Sequence, residues 1–333
     1  MPRNRRVFSL MLDNRRAKLM ESRRRPGHYE LSVDGIAQSV VSMTDPTTLE
    51  YAYTQHIARA IDAAAEPGAP LFTVHLGAGA LTLARYVEAT RPGSPQLVVE
   101  FEPALYAAVI AALPLPPGAD LRVVFGDARA VADAELPHTD HPHTDHPDTD
   151  HPDTDHLDAD HPDTDRSAVP ESPSPGLGAP TTGGSAVDTD WVDARFTVVD
   201  LWDAAVIRHR VASQEFYRRV AARSAAGAVV AVNLLDGHPF EYSRRQAATL
   251  RSVFQNVAVV LDAEPEDDEG PLGNVVVFAS DEPLSVVMDP DLLGAPRPHM
   301  LHDASLTAWI DGARIMTDAD GTDSPDPDDP IWD

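Results

Sequence analysis

Four carboxylates follow predicted buried strands in this sequence: Glu100, Asp127, Asp200 and Asp203. Each stands at or just after the end of an apolar run, and the carboxyl ends of strands are where open α/β sheets bind their ligands. Asp200 and Asp203 together would form an acidic pocket for a cationic group, and one of them would accept a proton from an attacking amine. As an alternative, the same pair would be a helix N-cap with a neighbouring loop acid.

A glycine turn precedes the first of these acids. Residues 71–103 contain an apolar run, then Gly77, Ala78 and Gly79, then a helical pattern and a second apolar run that ends at Glu100. A strand, a glycine turn, a helix and a strand with an acid about 20 residues after the glycines are typical of a site for adenosine. Glu100 would accept hydrogen bonds from the ribose hydroxyls. As an alternative, a glycine turn after a buried strand serves packing alone.

The apolar runs that position these residues alternate with helical patterns. In chain order they are LFTVHL, QLVVE, LRVVF, FTVVD, AVVAVN, VAVVL and NVVVFAS. The last two have no helical pattern between them, which predicts antiparallel pairing. The sequence therefore predicts an α/β fold with a methyltransferase-like Rossmann sheet of seven strands, the last one antiparallel. Asp34-Gly35 between two alternating runs predicts a small β-hairpin unit ahead of this sheet.

The composition suggests four regions. A basic N-terminal arm (residues 1–27) is expected to be a solvated extension, with contact to an anionic partner as the alternative. A small β unit with a linking helix (28–66) and a Rossmann-like catalytic domain (67–282) follow, and a C-terminal extension (283–333) ends in an acidic tail predicted to be disordered. Residues 137–187 form a His/Asp repeat insertion, also predicted to be disordered; its histidines would bind metal ions weakly, or the repeat is simply tolerated in a loop.

The net charge of −27 arises mainly in three acidic segments: the His/Asp repeat, the loop after residue 261 and the C-terminal tail. This distribution argues against nucleic-acid binding by the body of the protein. The absence of Cys excludes disulfides and thiol nucleophiles. Because no apolar run approaches the roughly 20 residues of a membrane span, we predict a cytoplasmic protein without a membrane partner.

Several motifs resemble those of the spermidine synthase family of aminopropyltransferases, in particular its actinobacterial-type spermidine synthase-like members. The resemblance covers about residues 29–280 apart from the repeat. It is carried by YELSVDGIAQSVV, DPTTLEYAYTQHI, HLGAGALTLARYVEATRPGS, QLVVEFEP, FGDAR, VVDLWD, EFYRRVAARSAAGAVVAVNL and GPLGNVVVFAS. The fold that it implies is a small N-terminal β domain followed by a Rossmann-like catalytic domain.

The activity implied by the resemblance is transfer of an aminopropyl group from decarboxylated S-adenosylmethionine to a small-molecule amine, without a metal. A homodimer is compatible with this resemblance. By position, Asp200 resembles the general base, Asp203 the second acid of the same motif, and Tyr53 the motif tyrosine. The implied cofactor-binding residues are Gly77, Ala78, Gly79, Glu100, Asp127 and Ala128.

Departures from the family pattern concern the groups that bind cations. Ala80 stands where the family has the Asp that holds the donor's ammonium, Gln55 where it has a Glu, and Asn233 near its substrate-binding Gln; Leu81 and Thr82 replace two glycines. Two further hypotheses therefore accompany the aminopropyltransferase. One is a methyltransferase that uses S-adenosylmethionine, and the other is a non-catalytic nucleoside-binding protein of the same fold.

Overall fold

The computed structural model describes residues 5–136, 190–203, 206–262, 273–294 and 297–326. The predicted disorder of the His/Asp repeat insertion (137–187) lies outside these residues, as do most of the acidic loop after residue 262 and the last residues of the chain. No helix in the described ranges is both long enough and apolar enough to cross a membrane.

The N-terminal residues form an antiparallel sheet. Its four strands, in spatial order, are β1 (Arg5–Leu12), β2 (Arg15–Glu21), β3 (His28–Val33) and β4 (Ile36–Ser42). The hairpin predicted at Asp34-Gly35 is present, with both residues at positive φ as a two-residue turn requires.

The prediction of a solvated arm over residues 1–27 was wrong, because β1 and β2 occupy most of it. Leu12, Ala17 and Leu19 are buried against Leu105 and Val109 of a helix in the following domain. Each strand begins with two arginines, and its buried residues are few: Leu12 in β1, and Ala17 and Leu19 in β2. The charge run therefore concealed a short buried face.

The second sheet has eight strands in the order β12-β10-β11-β9-β8-β5-β6-β7. The strands are β5 (Thr73–Leu76), β6 (Gln96–Glu100), β7 (Leu121–Phe125), β8 (Ala194–Val199), β9 (Ser224–Asp236), β10 (Asn256–Leu261), β11 (Gly273–Ser280) and β12 (His299–His302). Strands β5 to β9 are parallel to one another, and β11 is antiparallel to both β9 and β10. The predicted methyltransferase-like Rossmann sheet is thus confirmed, with β12 as an additional edge strand.

Helices cover both faces of this sheet. One face packs against α4 (Ala128–Asp133), α5 (Gln214–Ala222), α6 (Glu241–Arg251) and α8 (Asp303–Ile310). The other packs against α1 (Ala52–Ala63), α2 (Thr82–Thr90) and α7 (Ser285–Met288), while α3 (Pro103–Ala112) contacts the N-terminal sheet. Because both faces of the sheet are covered, the sequences of its buried strands are nearly continuous apolar runs.

The C-terminal region is ordered further than predicted. Asp318 accepts hydrogen bonds from the Arg129 guanidinium at 2.6 and 2.7 Å and from Ser213 at 2.6 Å. Ser324 exchanges hydrogen bonds with Ile207, and Met316 is fully buried. The prediction of a disordered tail was therefore wrong for residues 318–326, because basic and apolar residues elsewhere in the chain bind this acidic segment.

Candidate active site

A cavity of about 350 Å³ opens at the carboxyl ends of the parallel strands. From β5 the chain continues to β6 and β7 on one side and then returns to β8 and β9 on the other side. Ligands of open α/β sheets bind at such a reversal of the strand order. All nine residues predicted for the site line this cavity: Tyr53, Gly77, Ala78, Gly79, Glu100, Asp127, Ala128, Asp200 and Asp203. Their roles in chemistry and binding remain predictions, which their contacts help to specify.

Both glycines of the turn are required by packing. A Cβ atom on Gly77, whose φ is +95°, would lie 2.2 Å from the carbonyl oxygen of Asp200. A Cβ on Gly79 would lie 2.5 Å from Oγ of Ser39 in the N-terminal sheet. Leu81 also has positive φ; it packs against Ala84 and Val98 and forms part of the cavity wall without filling the cavity. The close approach at Gly77 brings the β5 turn and the segment after β8 together.

Glu100 is held at the cavity by two backbone hydrogen bonds. Its Oε2 accepts a hydrogen bond from the backbone NH of Ala78 at 3.0 Å, and its Oε1 accepts one from the backbone NH of Glu102 at 2.7 Å. Burial raises the pKa of Glu100, although these backbone hydrogen bonds oppose the rise. Each carboxylate oxygen retains acceptor capacity, so Glu100 can also bind a pair of ribose hydroxyls.

Asp200 receives three side-chain hydrogen bonds. Trp202 Nε1 and Asn233 Nδ2 donate to Oδ1 at 2.6 and 2.8 Å, and the Tyr53 hydroxyl donates to Oδ2 at 3.4 Å. Burial nevertheless dominates and raises the pKa of Asp200, while burial and the neighbouring carboxylate raise the pKa of Tyr53 well above its usual value. A fixed carboxylate with a raised pKa is a stronger proton acceptor than an ordinary aspartate.

Asp203 does not form the open acidic pocket that was predicted for it with Asp200. Its Oδ1 lies 3.2 Å from the Arg15 guanidinium, and its Oδ2 lies 3.0 Å from Nε of Arg208. Arg15 also lies 3.5 Å from Glu102. Because two arginines offset its charge, Asp203 is no longer an open partner for a cationic substrate, and Asp200 alone retains that character.

Asp127 caps a helix and forms an ion pair. Its Oδ1 accepts a hydrogen bond from the backbone NH of Ala130 at 2.9 Å at the start of α4, and it lies 3.0 Å from Arg210. Ala128 is the first residue of α4 and is buried. The predicted role of Asp127 in binding the cofactor stays a prediction alongside this capping role.

The substituted family positions have local structural roles. Ala80 is fully buried, and its backbone NH donates to Oγ of Ser39 at 3.1 Å. Gln55 donates to the carbonyl oxygen of Leu49 at 2.9 Å. Neither position therefore contributes a negative charge to the cavity.

Four residues at or behind the cavity were not predicted as site residues from the sequence. Phe101, 65% exposed at its rim, can stack on a base, and Trp202 orients Asp200. Asn274 donates to Asn233 at 3.0 Å from the neighbouring strand, while Arg15 reaches Asp203 from the N-terminal sheet. Phe101 and Trp202 lie next to predicted site residues, which was an available signal. In the described ranges no cluster of three or more His, Asp or Glu side chains has the arrangement of a metal site.

The fold and the cavity define an α/β protein with a methyltransferase-like Rossmann domain and an N-terminal antiparallel sheet. A probable spermidine synthase from Corynebacterium glutamicum has a similar crystal structure, with a TM-score of 0.68 and 18% identity over 96% of this chain and 97% of that chain. The resemblance predicted from the motifs is thus confirmed at the level of the fold.

Two other solved structures are more distant. One is a spermidine synthase in complex with the transition-state analogue AdoDATO, with a TM-score of 0.48 and 12% identity over 86% of this chain and 76% of that chain. The other is human methyltransferase-like protein 13 in complex with SAH, with a TM-score of 0.43 and 15% identity over 80% and 92%. These scores are too low to carry an argument, so the fold assignment rests on the Corynebacterium protein. No protein-family model and no curated sequence matches the chain.

Proposed function

We propose that this protein is a transferase that moves the aminopropyl group of decarboxylated S-adenosylmethionine to an amine. The observation that carries the proposal is the position of Asp200. It lines the same cavity as Glu100, receives hydrogen bonds from Tyr53, Trp202 and Asn233, and has a pKa raised by burial. A nucleoside-binding acid and a prepared base thus share one site.

The proposed reaction is a single displacement. The amine nitrogen attacks the carbon next to the sulfonium and forms the new C–N bond, while the C–S bond breaks and its electron pair returns to sulfur. Methylthioadenosine leaves, and Asp200 takes the proton lost by the nitrogen. Glu100 holds the ribose, so that the reacting carbon and nitrogen are brought together without a search in solution.

Methyl transfer from S-adenosylmethionine is a second candidate that one observation favours. The position where a spermidine synthase would hold the donor's ammonium is the fully buried Ala80. A donor that retains its carboxylate depends less on such an acid, because its carboxylate and ammonium offset each other's charge.

Product analysis separates these functions. The purified protein is incubated with either donor and a panel of amines, and the nucleoside products are identified by mass spectrometry. Methylthioadenosine from the decarboxylated donor is the expected result, and its absence would overturn aminopropyl transfer. S-adenosylhomocysteine from the other donor would select methyl transfer, and calorimetric binding without either product would select a non-catalytic nucleoside-binding protein. The cytoplasmic location, the homodimer and the predicted domain boundaries remain predictions.

A further inference from the structure

Arg15 brings a positive charge from the N-terminal sheet to the cavity. It is the first residue of β2, and its side chain is 25% exposed. Its guanidinium lies 3.2 Å from Asp203 and 3.5 Å from Glu102, so it bridges the segments that follow β8 and β6. The Arg15 guanidinium therefore lies beside Asp203, where the sequence predicted that a cationic group of the substrate would bind.

Most acids of the cavity already have a cationic partner. Glu102 is paired with Arg15, Asp203 with Arg15 and Arg208, and Asp127 with Arg210. Among the described acids that line the cavity, Glu100 and Asp200 are the two without an ion-pair partner. Since Glu100 is assigned to the ribose, one acid remains for the acceptor. A second ammonium in this cavity would lose its hydration without gaining an unpaired carboxylate, which is costly.

The wall near Arg15 is largely apolar. Leu12, Leu31 and Val33 of the N-terminal sheet line the cavity together with Leu105 of α3. A hydrocarbon chain buried against them gains about 25 cal/mol per Å² of apolar surface removed from water. The cavity thus offers one negative group for a reacting nitrogen and an apolar surface for the remainder of the acceptor.

Resting on the proposed aminopropyl transfer, we propose that the acceptor is a monoamine with an apolar body, and that Arg15 is the residue that discriminates against diamines. The nitrogen of the monoamine is placed at Asp200, which takes its proton as the C–N bond forms and the C–S bond breaks. The apolar body lies against the leucine and valine side chains. Arg15, supported by Arg208, offsets the charge of Asp203, which would otherwise bind a second ammonium.

Pentylamine and cadaverine test this proposal, because they have the same five-carbon chain and differ by one terminal amine. Release of methylthioadenosine from decarboxylated S-adenosylmethionine gives kcat/KM for each amine. We expect the wild-type protein to prefer pentylamine about tenfold or more, because an unpaired buried ammonium is costly. Arg15→Gln, which leaves Arg208 as the one cation beside Asp203, is expected to raise kcat/KM for cadaverine about tenfold relative to pentylamine.

Two further variants make the result specific. Arg16→Gln removes an equal charge from the adjacent position of β2, which is exposed and outside the cavity lining, and should leave the preference unchanged. Arg208→Gln removes the second cation beside Asp203 from a different segment and should shift the preference toward cadaverine, even if the Arg15 variant does not fold.

The outcomes separate this inference from the proposed function. A wild-type preference for cadaverine would overturn the monoamine assignment and leave aminopropyl transfer standing. If the Arg15 and Arg208 variants keep the wild-type preference, the role of Arg15 is overturned. If neither amine yields methylthioadenosine but another amine of the panel does, the monoamine assignment is overturned alone. If no amine of the panel yields it although the donor binds, aminopropyl transfer itself is overturned, and the inference with it.

Discussion

The amide nitrogen of Asn233 lies 2.8 Å from Oδ1 of Asp200. The amide oxygen of Asn233 in turn accepts a hydrogen bond from Asn274 at 3.0 Å, so the donor face of this amide is turned toward the carboxylate. The hydrogen bond lowers the pKa of Asp200 and opposes the larger rise caused by burial. The two asparagines therefore adjust the proton affinity of the proposed base without contacting the reacting carbon.

Asn233→Ala should move the pH dependence of catalysis. As the pH falls through the raised pKa of Asp200, the carboxylate binds a proton and no longer accepts one from the amine, so kcat/KM falls on the acid side. Loss of the Asn233 hydrogen bond raises this pKa further and shifts the acid limb to higher pH. The measurement is a pH profile of methylthioadenosine release. Asn256→Ala, at the half-buried start of β10 and outside the cavity lining, is the matched control, and an unmoved limb in the Asn233 variant would refute this coupling.

Asp200→Asn should abolish most turnover without weakening the fold. We expect kcat to fall roughly 10²- to 10⁴-fold because the proton acceptor is lost. The raised pKa means that the ionised carboxylate destabilises the folded state at pH values above it, so the neutral amide should preserve or increase the unfolding temperature at neutral pH. That difference should shrink as the pH falls through the raised pKa toward 3.8, the usual value for Asp. Activity equal to that of wild type would exclude Asp200 as the base.

Glu100→Gln should weaken donor binding. The amide keeps one carbonyl acceptor but loses the charge and one accepting oxygen, so the ribose and the backbone NH groups of Ala78 and Glu102 compete for fewer lone pairs. We expect the donor Kd, measured by calorimetry, to rise about 10- to 100-fold. Glu135→Gln, an exposed acid outside the cavity lining, should bind the donor as wild type does; equal affinity in both variants would exclude the ribose role.

Gly77→Ala should destabilise the protein more than Gly118→Ala. Both glycines have positive φ, +95° and +89°, so an alanine at either position costs about 1–2 kcal/mol of conformational strain. The added Cβ at Gly77 also meets the Asp200 carbonyl at 2.2 Å, whereas nothing lies within 4 Å of the Cβ at Gly118. The difference between the two unfolding free energies, measured in urea, isolates this clash. Equal losses would show that the β5 turn and the segment after β8 are not held in this close approach.

Asp318→Asn should reduce stability in a pH-dependent way. Hydrogen bonds and charge from Arg129 lower the pKa of Asp318 from 3.8 to about 2. Its contribution is therefore complete above about pH 4 and is lost as the pH falls toward 2. Because Asp318 is 42% exposed, solvent screening reduces the expected loss at neutral pH to about 1 kcal/mol.

Urea unfolding at pH 7 and at acidic pH tests the Asp318 prediction. Asp320→Asn, whose carboxylate lies 3.2 Å from the highly exposed Arg314, is the control and should cost only a few tenths of a kcal/mol. A pH-independent difference between Asp318→Asn and wild type would show that the ion pair with Arg129 does not bind the C-terminal segment to the body of the protein.

Local patterns in the sequence predicted the sheet and the convergence of the site. Apolar runs of strand length, the Gly77 turn and acids at strand ends are short-range signals. Parallel strands place their carboxyl ends at one edge, so Glu100, Asp127 and Asp200 had to approach one another once the fold formed. The N-terminal and C-terminal strands were harder to predict, because β1 and β2 each begin with two arginines and bury few apolar residues, and β12 has only four residues.

The sequence by itself determined the succession of strands along the chain, the glycine turn and the presence of an acid at each of these strand ends, since such features depend on neighbours in the chain. Only the tertiary structure decided which acids remain unpaired. Arg15 and Asp203 are 188 residues apart, and no local pattern specifies that they meet. Charge pairing acts through space, so the same carboxylates can form either an open acidic pocket or a set of ion pairs, and the packing of the N-terminal sheet selects between them.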